Sequence, residues 1–296
     1  MPDWVVHLGT AYAVYRPFTK KDLRWIFLGA VLPDVFSRVD SVLMDIFKIE
    51  WHKHYTLDVF HTPFVMCLMA LIIALLTDRV IRTWLLVFGA SLFHIFMDLC
   101  EAKLPGYGQL LLYPLSYKTY GLNLFHNGSA AYYSMLIVSF GLILWHVRES
   151  RVTESHIRPK GITPGRLVLA GILVAFICSL PYFSWQKFID RNVGYELFFR
   201  HPEQFENQEI TLHFSEVVSA KPLKIKEREY VFEVVGINGL KSGDWVSVRG
   251  IYRNGKVFAE EFQQEDGLHK IWFSLVGLVI FPFLWFDPKK LFRTED

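Results

Sequence analysis

The sequence predicts a polytopic α-helical membrane bundle of about five to seven membrane segments, with a small all-β domain inserted between the last two helices. Hydrophobic residues make up 52% of the 296 residues and charged residues only 20%, whereas soluble proteins carry about 25% charged residues. The apolar residues fall in long runs, which excludes a disordered or collagen-like chain. A late stretch of alternating apolar and polar residues predicts the β domain.

Five apolar runs approach the roughly 20 residues that a membrane-spanning helix requires. They lie at about 62–78, 82–100, 129–147, 166–183 and 270–286. Two shorter runs, 4–15 and 23–36, flank a basic turn. We expect these two either to cross part of the bilayer or to pack as a hairpin in the core.

Lysine and arginine are distributed unevenly between the connections, and this asymmetry orients the chain. Fourteen basic residues lie in one set of alternate connections, at 16–24, 79–82, 148–166 and 289–293. Only five lie in the opposite connections, at 37–60 and 101–128. Because basic loops stay in the cytoplasm, the C-terminus is predicted to be cytoplasmic and residues 184–269 extracytoplasmic.

The segment 184–269 contains the strand signals. Alternating stretches predict four or five strands, at 209–221, 228–237, 244–253 and 256–265. Asn254-Gly255 predicts a hairpin turn between the last two. The stretch from Gly243 to Glu260 resembles the later strands of an OB-fold, so we expect a small OB-like barrel. Residues 205–266 hold 11 acidic and eight basic side chains, which argues against a nucleic-acid partner and favours a protein, glycan or lipid surface.

These segments divide the chain into four parts. A membrane-embedded helical domain is predicted at 1–150, a cytoplasmic loop and membrane helix at 151–183, the β domain at 184–269, and a C-terminal membrane helix with a cytoplasmic tail at 270–296.

Six ionisable side chains lie within or beside the apolar runs, where such groups cost about 2.5–3.5 kcal/mol and mark function by default. His94 and Asp98 are four residues apart and share one face of a helix. Counted from the nearest cytoplasmic basic residues, all six are predicted in the outer half of the bilayer or at its outer surface. The set is His7, Asp34, Asp58, His61, His94 and Asp98.

Imidazole and carboxylate groups are the usual ligands of zinc and similar divalent ions, and helical bundles build metal sites from such inward-facing pairs. Each residue taken singly has a structural alternative: a hydrogen-bonded core histidine, a helix cap, or a buried ion pair for His94 and Asp98. Two further candidates, His54 and His126, lie on outer loops. The alternating pattern around His54 is also typical of a solvated surface.

The order of these motifs resembles the prokaryotic membrane-bound metal-dependent hydrolase family, whose members are polytopic inner-membrane proteins. The resemblance covers residues 1–150 and includes Gly29-x-x-Leu-Pro-Asp34, Asp58-x-x-His61-Thr, His94-x-x-x-Asp98 and Leu112-Tyr-Pro-Leu-Ser116. It implies a place in the prokaryotic cytoplasmic (inner) membrane. It also implies that the metal ligands are His7, Asp34, His61, His94 and Asp98.

Two positions depart from the family pattern. The family has His-Arg-Gly-x-Thr-His-Ser where this chain has Thr56–Thr62, so the first histidine is absent and Asp58 is its candidate replacement. The family's Pro-Asp-x-Asp reads Pro33-Asp34-Val35-Phe36 here, so the second aspartate is absent.

The resulting hypothesis is hydrolysis of a phosphoester or ester in a lipid or lipid-linked substrate near the outer leaflet. A divalent metal, with zinc favoured, would activate a water molecule, and Asp58 would act as general base. The expected partners are membrane lipids. The alternatives are an ion- or proton-coupled transporter, against which no second copy of the motifs is found, and a non-enzymatic assembly factor that binds partners through the outer β domain.

Overall fold

The computed structural model describes residues 3–19, 22–47, 55–102, 108–126, 128–149, 162–227, 229–265 and 269–285. The helices are α1 (Trp4–Tyr15), α2 (Leu23–Phe47), α3 (Pro63–Leu75), α4 (Val80–Cys100), α5 (Ala130–Glu149), α6 (Pro164–Arg200) and α7 (His269–Trp285). Short 3-10 turns at Tyr55–His61 and Pro202–Phe205 precede α3 and the first strand, respectively.

Within the described residues, three helical segments are long and apolar enough to cross a membrane: Val80–Cys100, Ala130–Arg148 and Pro164–Phe188. Two more, Pro63–Leu75 and Trp272–Pro282, are apolar but shorter. Three of the predicted five to seven membrane segments are therefore supported, and the others stay predictions. Large apolar side chains on the bundle surface, such as Ile137 and Val279, are exposed, as a lipid-facing surface requires.

Helix α1 and the first half of α2 form the buried centre of the bundle. Every residue of α1 from Trp4 to Tyr12 is buried except Thr10, and the helix contacts α2, α5 and α7. A helix that is surrounded in this way can be apolar on all its faces. The structure therefore shows both short runs packed in the core of the bundle, and their partial crossing of the bilayer stays a prediction.

Asp3 fixes the start of α1. One of its carboxylate oxygens accepts the N–H of Val6 at 3.0 Å, which caps the helix. The hydroxyl of Tyr132 on α5 donates to the other oxygen. A carboxylate that is fully buried thus has partners on two helices and holds the beginning of α1, which carries His7, against α5.

Helix α2 approaches α4 closely at Gly29. A Cβ atom at this position would lie only 2.3 Å from the carbonyl oxygen of Val87, so no larger residue fits without separating the helices. Small residues of this kind are how membrane helices bring their backbones together. Four residues later, Pro33 lies inside α2 and removes one hydrogen bond from the helix.

The strands β1 (Glu209–Ala220), β2 (Leu223–Glu227), β3 (Tyr230–Val235), β4 (Trp245–Arg253) and β5 (Lys256–Glu265) form a sheet that closes on itself. Their order is β1-β2-β3-β5-β4, and only the β3–β5 pairing is parallel. Asn254 and Gly255 have φ angles of 51° and 75° and join β4 to β5. This positive-φ pair forms the hairpin turn that the sequence predicted.

Helix α6 continues without a break beyond its membrane-length part to Arg200. Residues 184–200, which the sequence placed in the β domain, are therefore helical. The apolar run ends near 183, but the helix does not end with it. The last turns instead place Phe198 and Phe199 in the core of the closed sheet, beside Leu212 and Val248.

Candidate metal centre

Four buried side chains from three segments converge at one end of the helical bundle. They are Asp34 of α2, His61 at the end of a 3-10 turn, and His94 and Asp98 of α4. One potential ligand atom from each lies within 4.8 Å of the other three. None of the four is more than 5% exposed. Two imidazoles and two carboxylates at such separations have the composition and size of a divalent metal site.

Asp98 lies at the centre of the arrangement. Its Oδ2 is 2.7 Å from Nε2 of His61 and 3.4 Å from Nε2 of His94, whereas its Oδ1 is 3.4 Å from Nε2 of His7. Oδ1 of Asp34 is 3.7 Å from Nε2 of His94 and 3.9 Å from Nδ1 of His61. Three imidazoles therefore surround two carboxylates, and all five side chains are buried.

The local sequence explains why each residue reaches this point. His94 and Asp98 are one turn apart on α4 and lie in its last two turns. His61 is held by the start of α3, where Thr62 is the cap and Pro63 the first helical residue. The Thr62 hydroxyl donates to the carbonyl of Val59 at 2.7 Å and accepts the N–H of Val65, which fixes the turn on both sides of His61.

The hydrogen bond made by Nδ1 sets the orientation of the His94 ring. Nδ1 lies 2.6 Å from the carbonyl oxygen of Ala30 on α2. Because a carbonyl oxygen can only accept a hydrogen bond, Nδ1 carries a proton, and in the neutral ring Nε2 therefore has its lone pair on the side of the carboxylates. Histidines that bind metals usually make such a hydrogen bond through the nitrogen that does not face the ion.

The unpaired polar atoms of the group fit a cation. Nε2 of His94, Oδ1 of Asp98 and both ring nitrogens of His61 are buried and have no hydrogen-bond partner within the described parts of the chain. The 2.7 Å contact between His61 and Asp98 is short but does not have hydrogen-bond geometry. Buried polar atoms are rarely left unpaired, because each costs free energy. The residues present therefore fit a divalent metal ion.

His7 adjoins the group of four without belonging to it. Its ring stacks on that of His94, with centroids 3.6 Å apart and planes at 14°. Its nearest contact with the ligand atoms is to a single oxygen, Oδ1 of Asp98. The structure thus brings together all five residues that the resemblance implied as ligands, four as a compact set and His7 beside it.

The remaining candidates lie elsewhere. Asp58 is exposed and stands three residues before His61 in the 3-10 turn, outside the buried group. His126 is exposed on the segment that follows the bridge between Glu101 and Phe125. His54 lies outside the described residues.

Sequence reasoning missed Gln109, which contacts the site. This residue is 4% exposed, and its side-chain amide donates to Oδ2 of Asp98 at 3.4 Å. Its backbone N–H and carbonyl pair with those of Tyr120 at 2.8 and 3.0 Å, which anchors the connection over the end of α4. A lone glutamine in a connecting segment has no periodicity or spacing that points to a site, so no sequence signal was available.

Comparison with known proteins gives one match. Residues 5–186 match the family described as YdjM inner membrane protein. This span is more than half of the 296 residues and includes every member of the buried group. No curated protein and no solved structure matches the chain.

Proposed function

The chain belongs to the YdjM inner membrane protein family, and we propose that it is a membrane-bound metal-dependent hydrolase. The proposed substrate carries a phosphoester or ester bond and is a lipid or is linked to one. The observation that supports this proposal best is the buried group of Asp34, His61, His94 and Asp98, whose nitrogen and oxygen atoms face one another. A simple membrane anchor or assembly factor does not need these costly groups in its core.

Zinc is the ion that we propose for the site, because a mixed set of imidazole and carboxylate ligands suits it. Asp34, His61, His94 and Asp98 would hold the ion, and His7 would support Asp98 from the other side. A bound zinc ion supplies Lewis acidity and lowers the pKa of a water ligand to about 7.

Asp58 remains our candidate for the general base. In a 3-10 turn, residues three apart lie on the same side, so Asp58 and His61 project from one face of the turn. We propose that the exposed carboxylate of Asp58 takes up a proton from the site and releases it to solvent. The amide of Gln109 would hold Asp98 in place meanwhile.

A lipid substrate is proposed from the position of the site along the helices. Ser184 of α6 is hydrogen-bonded to Tyr113, which belongs to the same connection as Gln109, at 2.8 Å. The neighbouring side chains of Tyr182 and Phe183 are exposed, as are many aromatic residues at the membrane–water boundary. We propose that this boundary is the extracytoplasmic one, that the C-terminus is cytoplasmic, and that the substrate enters sideways from the outer leaflet.

The closed sheet is proposed to be an OB-like extracytoplasmic domain that covers the site or binds a partner other than nucleic acid. Its strand order is compatible with the five-stranded Greek-key arrangement of that fold. The side-chain amide of Gln263 on β5 donates to the carbonyl of Ala102 at 3.2 Å, two residues beyond the end of α4. The domain therefore contacts the segment that leads away from Asp98.

Elemental analysis of the detergent-solubilised protein tests the metal part of the proposal. Wild-type protein, purified without chelator and reloaded with zinc, should hold at least one ion per chain, and Asp98→Ala should hold less. Asp190→Ala is the matched control, because it removes an exposed carboxylate from α6. Wild-type protein that holds no stoichiometric metal would refute the proposal.

Hydrolysis is tested with the same preparations on a phosphodiester and a carboxylic ester that release a coloured product, each presented in mixed micelles with lipid. We expect zinc-dependent turnover of one class, abolished in Asp98→Ala. A protein that binds zinc stoichiometrically but hydrolyses neither class would exclude the hydrolase and favour an ion-coupled transporter.

A further inference from the structure

We infer that Ser91 and Pro33 are positioning residues for His94: together they attach α4 to α2 and so fix the tautomer and direction of the His94 ring before any ion binds. The inference rests on the proposed metal site, which it extends from the residues that face the ion to the backbone behind them.

Pro33 provides the first step. A residue inside a helix donates its N–H to the carbonyl four residues earlier, but proline has no N–H. The carbonyl of Gly29 therefore has no helical donor. The absence of a side chain at Gly29 also lets α4 come close enough for its side chains to reach this backbone. The carbonyls of this turn of α2 are thus within reach of side chains on α4, and that of Gly29 lacks its helical donor.

Ser91 and His94 use those carbonyls. The hydroxyl of Ser91, which is fully buried, lies 3.0 Å from the carbonyl oxygen of Gly29 and 3.0 Å from that of Val87, one turn earlier on its own helix, so its single proton is shared between the two acceptors. Nδ1 of His94 lies 2.6 Å from the next carbonyl oxygen, that of Ala30. Because Ser91 and His94 are three residues apart, they lie on one face of α4. These contacts from one helix face to consecutive carbonyls attach α4 to α2 beside the His94 ring.

The ring of His94 depends on this attachment. With Nδ1–H bonded to Ala30, Nε2 lies 3.4 Å from Asp98 Oδ2 and 3.7 Å from Asp34 Oδ1, with its lone pair towards them. Without the attachment, the other tautomer becomes accessible, in which Nε2–H points at the carboxylates and cannot bind a metal. Loss of such outer hydrogen bonds commonly lowers metal affinity by about 10- to 100-fold.

The first experiment is a zinc titration against a competing chelator, with the full-length protein in detergent. Ser91→Ala should bind zinc about 10- to 100-fold more weakly than wild type. Thr83→Val is the matched control, because it removes a buried hydroxyl from the same helix that bonds to Thr77 and not to α2. It should bind zinc as wild type does. Equal affinities of Ser91→Ala and wild type, with Asp98→Ala unable to bind, would leave the metal site in place and overturn the positioning role.

A double-mutant cycle distinguishes a specific coupling between Pro33 and Ser91 from a general loss of packing. Pro33→Ala supplies a backbone N–H to the carbonyl of Gly29, so the Ser91 hydroxyl then has no unpaired acceptor to satisfy. We expect Ser91→Ala to have little further effect on zinc affinity in the Pro33→Ala background. Additive losses in the double variant would contradict the coupling of the two residues.

The second experiment needs no metal. Nitrogen-15 NMR of metal-free protein labelled at histidine reports which ring nitrogen carries the proton, and His94 is assigned from the signal lost in His94→Gln. We expect the Nδ1–H tautomer in wild type and in Thr83→Val, and a mixed population in Ser91→Ala. An Nε2–H tautomer in wild type would overturn the inference. The expected tautomers in a protein that fails to bind zinc would support the positioning role while refuting the proposed function.

Discussion

Asp98 lies between His7 and His61 and presents a different oxygen to each. Nε2 of His7 is 3.4 Å from Oδ1, and Nε2 of His61 is 2.7 Å from Oδ2. The other imidazole near Oδ2 is that of His94, on which the ring of His7 stacks. His7 thus contacts the candidate ligand set through one carboxylate oxygen and one ring face, which distinguishes it from the four residues of the compact group.

The first prediction concerns the role of His7. Because it supports Asp98 from outside the compact group, His7→Ala should weaken zinc binding by about 10- to 100-fold without abolishing it. His7→Phe keeps an aromatic ring against His94 and separates the loss of stacking from the loss of the nitrogen. Competition with a chelator gives the affinities. If His7→Ala, like Asp98→Ala, binds no zinc at any concentration tested, then His7 is a direct ligand, as the resemblance implied.

The second prediction concerns the orientation of the chain in the membrane. The asymmetry of basic residues predicts that the closed sheet lies outside the cell membrane and the connection 148–166 in the cytoplasm. In a variant without its three native cysteines, a cysteine at Ser242 should react with an impermeant reagent in intact cells. A cysteine at Ser155 should react only after permeabilisation. Ser242 is exposed, whereas Ser215 in the same sheet is fully buried and is unsuitable.

The reverse labelling pattern would show that the chain has the opposite orientation in the membrane. In that pattern, position 155 is reactive in intact cells and position 242 is protected. The opposite orientation would place the buried group near the cytoplasmic leaflet and remove the reason for an outer-leaflet substrate.

The buried group could be predicted from the sequence to a large extent, because its members are costly in their surroundings. His94 and Asp98 are separated by one helical turn, which is a local property. Asp34 and His61 were assigned to the same depth by counting residues from the basic connections, and the fold brings them to the same place. Depth alone is not a sufficient guide, because it also selects Asp58, which is exposed and lies outside the group.

The partners behind these residues could not be predicted in the same way. The Ser91 hydroxyl contacts a backbone carbonyl of α2, and the long side chain of Gln109 reaches Asp98. Neither residue is unusual at its position in the sequence. Likewise, the end of α6 was placed at the end of its apolar run, although the helix continues to Arg200. The amino-acid composition of a helix reflects whether lipid or water surrounds it, whereas its length also depends on what its last turns pack against.

The third prediction concerns the junction between α6 and the closed sheet. Phe198 is buried in the core of the sheet, where it stacks on Phe232 at 5.1 Å between ring centroids. Phe198→Ala should destabilise the sheet by about 3–5 kcal/mol. Leu197→Ala, at a neighbouring position that is 37% exposed, is the control and should have a small effect. Pulse proteolysis measures the stability of the sheet.

The zinc content of the same variants tests whether the sheet and the buried group are separable. Phe198→Ala should keep its zinc, because no residue of the sheet belongs to the compact group. A variant that inserts normally and loses its metal would show that the sheet supports the site, through the contact of Gln263 with Ala102 or through a ligand of its own.

The fourth prediction concerns the close contact between α2 and α4. A methyl group at Gly29 would lie 2.3 Å from the carbonyl oxygen of Val87 and 2.8 Å from Cβ of Ala90. Gly29→Ala should therefore force the two helices apart, at a cost of about 1–3 kcal/mol. Gly171 of α6 is the matched control, since a Cβ there meets nothing within 4 Å. Gly171→Ala should be neutral or stabilising by up to about 1 kcal/mol, because alanine is the better helix former.

Thermal unfolding in detergent, with and without excess zinc, measures both consequences of the Gly29 contact. A ligand that binds only the folded state raises the midpoint by an amount that grows with the logarithm of its affinity, so zinc should raise it strongly in wild type and in Gly171→Ala. The rise should be smaller in Gly29→Ala, because separating α2 from α4 moves Asp34 away from His94 and Asp98. A Gly29→Ala protein with wild-type stability and a wild-type response to zinc would show that the site does not depend on this helix contact.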